Sequence, residues 1–158
     1  MSATATRLLA PLLLLVAATG CKSADGPMDL NKPVPKLLAR YTPQDLEKAG
    51  VIEMIPPAET AKFMLAQKFC KTAPPPPLRA EFRPDGTWSQ IALEADGRDA
   101  EKVDGTWVQE PACFRVVLGG RALGCLHELG EVFRGKKDGT AYVTARPGLW
   151  IGCPSGKL

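Results

Sequence analysis

The chain changes its hydrophobic rhythm several times, and each change marks an element. Leu8 to Ala18 is an apolar run behind a single basic residue, Arg7, and small residues follow up to Cys21. Residues 22–41 are polar and interrupted by prolines, with no sustained period, and read as a flexible tether. Thr42 then opens a helical region: Thr42 suits the cap, Pro43 the first helical position and Asp45 the first turn, and Gly50 closes it. From Pro57 to Phe69, Ala61, Met64, Leu65 and Phe69 recur at helical spacing and predict a second helix. The ordinary use of its apolar face is to cover a sheet. Pro74 to Pro77 is an extended break.

From Leu78 onward the period is two. Leu78, Ala80 and Phe82 alternate with Arg79, Glu81 and Arg83, as in a half-buried strand. Pro84-Asp85-Gly86 suits a type I turn followed by a left-handed glycine, a three-residue hairpin loop that sets Phe82 opposite Trp88. Further strands are expected at Thr106–Gln109, Cys113–Leu118, Leu123–Leu126, Glu131–Arg134, Thr140–Ala145 and Leu149–Cys153. Asp-Gly-Thr recurs at Asp85, Asp104 and Asp138 at unequal intervals, which reads as repeated turn chemistry. The fold class that follows is α+β, mainly β. Two short N-terminal helices lead into a small disulfide-stapled antiparallel barrel or sandwich. The expected division is a signal peptide at 1–20, a lipidated N-terminus and tether at 21–41, a helical lead-in at 42–73 and an antiparallel β domain at 78–158.

Met1 to Gly20 has the layout of a secretory leader: a basic start, a short apolar core and a small-residue cleavage region. The apolar run is about half the roughly 20 residues that span a bilayer as a helix. Ala18-Thr19-Gly20-Cys21 resembles the lipobox of bacterial lipoproteins, in which the cysteine is lipidated and becomes the mature N-terminus. That resemblance implies a membrane anchor through lipid on Cys21. With Lys22 where an inner-membrane-retained lipoprotein has Asp, it implies the outer membrane, facing the periplasm or the surface.

An exported small domain with four further cysteines, Cys70, Cys113, Cys125 and Cys153, reads as a two-disulfide framework with three possible pairings. Cys113–Cys125 with Cys70–Cys153 is preferred. Cys113 and Cys125 flank the turn Leu118-Gly119-Gly120-Arg121, but a strict two-residue turn sets Cys113 opposite Leu126. The first pair therefore needs a bulge or a longer loop.

Composition narrows the function classes. Net charge is +3 and scattered, unlike a nucleic-acid footprint, and 45% hydrophobic content excludes wholesale disorder. The single histidine sits in His127-Glu128-Leu129-Gly130-Glu131, which lacks the second imidazole of a zinc peptidase helix. Ser89 and Ser155 have no base that the sequence places near them. Glu94, Asp96, Asp99 and Glu101, with Arg98 and Lys102, read as a solvated hairpin loop. No catalytic residue, metal site or cofactor is therefore expected.

Trp88, Trp107 and Trp150 are a heavy aromatic share for a small β domain. They fill the core or, alternatively, some of them line the mouth of a barrel that binds an apolar or sugar-like ligand. Gly105-Thr106-Trp107 resembles the Gly-x-Trp opening of lipocalin-like barrels, which implies a small-ligand cavity. Trp107 with Cys113-Phe114-Arg115-Val116-Val117-Leu118 and Cys125-Leu126 resembles the bacterial periplasmic inhibitors of secreted metalloproteases, which are small barrels with one such disulfide. The expectation is a lipid-anchored, non-enzymatic envelope protein that binds an unidentified ligand or maintains the envelope. The alternatives are an inhibitor of an envelope-attacking protease or muramidase, or a carrier of a small apolar ligand.

Overall fold

The structure is a computed structural model that describes residues 27–71, 73, 75–145 and 148–153. The leader, Cys21, Lys22 and Ser155 lie outside the described residues. The chain begins with α1 (Val34–Leu38) and α2 (Pro43–Lys48), followed by β1 (Ile52–Met54). A 3-10 turn (Pro57–Glu59) leads into α3 (Thr60–Leu65) and β2 (Phe69–Lys71). A run of strands follows: β3 (Leu78–Phe82), β4 (Thr87–Leu93), β5 (Asp99–Glu110), β6 (Cys113–Leu118) and β7 (Arg121–Cys125). Then come α4 (Leu126–Leu129), β8 (Val132–Gly135), β9 (Ala141–Val143) and β10 (Trp150–Gly152).

All ten strands join one antiparallel sheet in the order β1-β8-β9-β10-β2-β3-β4-β5-β6-β7. The sheet curls into a half-barrel. The fold is mainly β, as expected. The barrel does not close among the described residues: β1 and β7 remain its edges. Both edges are short and β7 is bulged, features that blunt an open edge against further pairing.

Two cores occupy opposite faces of the sheet. Along β8, Val132 faces one and Phe133 the other; along β9, Ala141 and Val143 face the first and Tyr142 the second. The first core fills the concave side with Phe69, Trp88, Phe114 and Leu126 and is covered by Phe63 and Met64 of α3. The second lies under α1 and α2, where Val34, Leu37 and Leu46 pack on Ile52, Phe133 and Tyr142. Burying side chains of this size contributes about 1.5–3 kcal/mol each, so both layers are integral to the fold.

Local chemistry explains the elements. Thr42 and Asp45 form a reciprocal capping box: the Asp45 N–H donates to Thr42 Oγ1 at 3.2 Å and the Thr42 N–H to Asp45 Oδ2 at 3.1 Å. The β3–β4 hairpin has the expected loop, with the Arg83 N–H donating to Thr87 O at 2.9 Å and Gly86 at φ +82°. Phe82 stands opposite Trp88, and their rings stack at 5.0 Å.

Both disulfides carry the preferred pairing, Cys70–Cys153 and Cys113–Cys125. The bulge that the second one needs is present. Leu118 pairs with Arg121 across the Gly119-Gly120 turn, but the register shifts at Val116/Val117, leaving Leu123 as the extra residue. Cys125 then stands opposite Arg115 and so shares a face with Cys113.

Several expectations are corrected. The tether expected over residues 21–41 is cut short by α1, whose Val34 and Leu37 are buried. The prolines do not prevent this, because Pro33 is the N-cap and Pro35 lies in the first turn, where no backbone N–H is required. The helix expected from Pro57 to Phe69 ends at Leu65, because Phe69, Cys70 and Lys71 pair with Ala80, Arg79 and Leu78. The lead-in at 42–73 is thus part of the sheet, through β1 and β2. The strand expected at Leu123–Leu126 stops at Cys125, where α4 begins. Asp104-Gly105-Thr106 is not a turn but the middle of β5, whereas the other two Asp-Gly-Thr triplets form Asx turns closed by Thr87 and Thr140 N–H groups.

Candidate functional site

The concave side of the half-barrel holds an apolar cavity of about 90 Å³. Its wall draws on Met64 of α3, Phe69 of β2, Ala80 and Phe82 of β3, Trp88 and Gln90 of β4, and Val116 of β6. Leu123 of β7, Leu126 and Leu129 of α4, Val143 of β9, Ala145 just beyond β9, and Trp150 of β10 complete it. Among the described residues, Gln90 is the one polar side chain other than tryptophan on that wall. Leu123, the bulged residue, is 37% exposed and lies where the wall meets solvent.

The wall is held rigidly. Trp88 is locked by its Nε1–H, which donates to Val117 O at 2.7 Å, and by Phe82, which also packs at 5.6 Å on Phe114. Gly105, opposite Trp88, leaves room for this indole: a Cβ there would lie 2.5 Å from Trp88 Nε1 and collide with Val117 O. Trp150 is half-buried, and the buried ammonium of Lys71 lies 6.0 Å from its ring centroid, at the outer limit of a cation–π contact.

The structure therefore brings together two of the three tryptophans singled out from the sequence. Trp107 does not line the cavity. Its ring stacks on Phe114 at 5.1 Å and its Nε1–H is shared between Arg83 O (3.0 Å) and Thr87 O (3.1 Å), so it supports the wall from behind. The sequence reading missed Gln90, Leu123 and the α4 leucines; the bulge or longer loop demanded by the Cys113–Cys125 pairing was the one signal that pointed toward Leu123.

The other polar candidates have structural employment. His127 Nε2 lies 3.0 Å from Ile55 O; since a carbonyl only accepts, the proton sits on Nε2. Its Nδ1 is buried with no partner among the described residues. Gly130 is the C-cap of α4, and only glycine fits there because a side chain would collide with the Thr144 carbonyl. Ser89 is fully buried; its hydroxyl donates to Asp104 Oδ1 at 2.6 Å and accepts from Arg83. The Ser89 hydroxyl, with the Lys102 ammonium, holds the Asp104 carboxyl below the usual carboxylate range. The acidic cluster is only in part the expected loop: Glu94 and Asp96 belong to an ion-paired turn with Arg98 (3.2 and 2.7 Å), whereas Asp99, Glu101 and Lys102 pair with β4 as the start of β5, with Arg79 on Asp99 (3.0 Å). Among the described residues no three His, Cys, Asp or Glu side chains gather as a metal site.

No protein family, no characterised protein and no solved structure matches this chain. The functional reading therefore rests on the chemistry of the half-barrel and on the leader-like pattern of residues 1–21.

Proposed function

We propose that this chain is a lipid-anchored, non-enzymatic cell-envelope module that accepts one apolar group in its concave cavity. The observation that carries the reading is the cavity itself, walled almost wholly by hydrocarbon and indole and opening beside the exposed Leu123. Its size decides what it accepts. At about 90 Å³ it holds the volume of about three water molecules, well below the roughly 300–1,000 Å³ of sites that engulf a whole small molecule. A short alkyl group, an acyl-chain end or a single apolar side chain matches that volume, and Gln90 can hydrogen-bond a polar atom at its end.

The same fit supports a second reading, inhibition of an envelope-attacking hydrolase, in which the partner enzyme supplies the inserted side chain. The lipobox-like leader supplies membrane residence in both readings. Among the described residues no helix is long and apolar enough to cross a membrane.

A chain-length series tests the cavity. Straight-chain alcohols from butanol to decanol are titrated while tryptophan emission is followed. Saturable shifts are expected for the short members, with no further gain once the chain outgrows the cavity. Ala145→Leu, which fills the space from its rim, abolishes the shift while leaving the fold intact. No saturable response anywhere in the series, or an unchanged response in A145L, contradicts the reading.

A further inference from the structure

The order found in residues 28–41 changes how this domain meets a membrane. Met28 packs against the second core, and Val34 and Leu37 are buried in it, so only residues 22–27 lie between Cys21 and the folded body. Whatever their conformation, the seven chain steps from Cys21 to Met28 span at most about 25 Å. The 20-residue tether expected from the sequence would have allowed about 70 Å at full extension. The first element beyond that short link is α1, and its orientation is fixed by packing.

With Val34 and Leu37 inward, Lys36 lies on the outward side of α1, Lys32 stands just before its N-cap Pro33 and Arg40 just after its C-cap Ala39, and all three are exposed. Lys32 has Asp29 at 3.9 Å; Lys36 and Arg40 have no carboxylate within ion-pair distance among the described residues. Leu30, 53% exposed, precedes these cations.

We propose that these exposed cations at and beside α1 rest on an anionic lipid headgroup surface, setting the orientation of the anchored domain. The inference depends on lipidation of Cys21. It draws on two independent observations, the short link and the unpaired cations. The two or three acyl chains of such an anchor hold the domain to the membrane by themselves, so cations beside it act on orientation and not on residence. Each cation at such a surface favours the resting orientation by about fivefold, and the attraction fades over a Debye length of about 8 Å, which is why the link must be short. The opposite face of the sheet is covered by α3, which carries Lys62 and points the concave cavity away from this contact.

The test uses the lipidated chain reconstituted in vesicles of phosphatidylglycerol or of phosphatidylcholine, with lysine acetylation rates read by mass spectrometry. On the anionic vesicles, Lys32 and Lys36 should react at least threefold more slowly than on the neutral ones, with Lys62 unchanged. The double variant Lys36→Glu, Arg40→Glu should lose the protection of Lys32 while still sedimenting with the vesicles. Equal rates on both lipids, or equal slowing of Lys62, overturns the proposal, and these cations would then be free for an acidic protein surface. A chain that does not sediment with either vesicle removes the anchor, and the inference with it.

Discussion

Replacing Gly105 by alanine adds one methyl group in the middle of β5, at a backbone conformation that any residue tolerates. Its effect therefore comes from contact alone. The new Cβ would collide with Val117 O and lie 2.5 Å from Trp88 Nε1, the two atoms joined by the 2.7 Å hydrogen bond that fixes the cavity wall. Crowding a packed site costs about 1–3 kcal/mol, and leaving the buried indole N–H without its acceptor costs about 1–3 more. The expected loss is about 2–6 kcal/mol, or roughly 5–25 °C in Tm for a domain of this size. Gly139, in another Asp-Gly-Thr triplet, supplies the control. It sits at φ +70° with nothing within 4 Å of a Cβ, so Gly139→Ala costs only the left-handed backbone term, about 1–2 kcal/mol. Urea unfolding followed by far-UV circular dichroism gives both stabilities, and near-UV dichroism reports the Trp88 environment. If G105A is no less stable than G139A, or leaves the near-UV signal unchanged, the account of how Trp88 is held is wrong.

Removing each disulfide should give unequal losses. With 12 residues of separation, Cys113→Ala/Cys125→Ala should lose about 3 kcal/mol, and with 83, Cys70→Ala/Cys153→Ala about 4–5; urea unfolding in which the short pair matters more contradicts the loop-closure argument. Burial opposes ionisation of Glu81, but hydrogen bonds from Lys68 and Arg79 outweigh it and hold its carboxyl below the usual range. A lowered folded pKa gives stability that is present above the ordinary glutamate value of about 4.3 and lost as pH falls through the folded one. Glu81→Gln should therefore flatten the acid limb of the stability profile below about pH 4, and an acid limb as steep as that of the native chain refutes this role. Phe114→Ala, at a fully buried ring between Phe82 and Trp107, should cost about 3–5 kcal/mol in the same unfolding assay, and a loss below 1 would deny it a place in the core.

What the sequence made legible was local. The alternation of Leu78 to Phe82 with a Pro-Asp-Gly turn fixes a register, and Phe82 does face Trp88. Cys113–Leu118 is a strand with the predicted ends, and covalent geometry required a bulge or a longer loop between the paired cysteines, of which the structure has the bulge, at Leu123. The missing pieces were short or non-local. Ile52–Met54 and Phe69–Lys71 are three-residue strands, too brief to show a period, and Phe69 fits a helical face equally well until Ala80 claims it. Val34–Leu38 was hidden because prolines that start a helix look, in sequence, like prolines that break one. Open curling, instead of a closed barrel or a sandwich, depends on how ten strands are ordered, which no single segment records. The cavity was half legible for the same reason: tryptophans announce burial, but its wall comes from nine separate places in the chain.

The central claim, a disulfide-stapled half-barrel carried on a lipid anchor, is tested most directly by the intact mass of the native protein from a membrane fraction, before and after reduction. The account predicts a chain that begins at Cys21 and is heavier than its sequence by a diacylglyceryl group, with or without a further acyl chain. On reduction it should gain about four hydrogens, two for each disulfide. An unmodified N-terminus beyond the leader would make this a freely soluble exported protein and remove the membrane from the account. An uncleaved leader with free thiols would contradict export itself, and with it the oxidising compartment on which both staples depend.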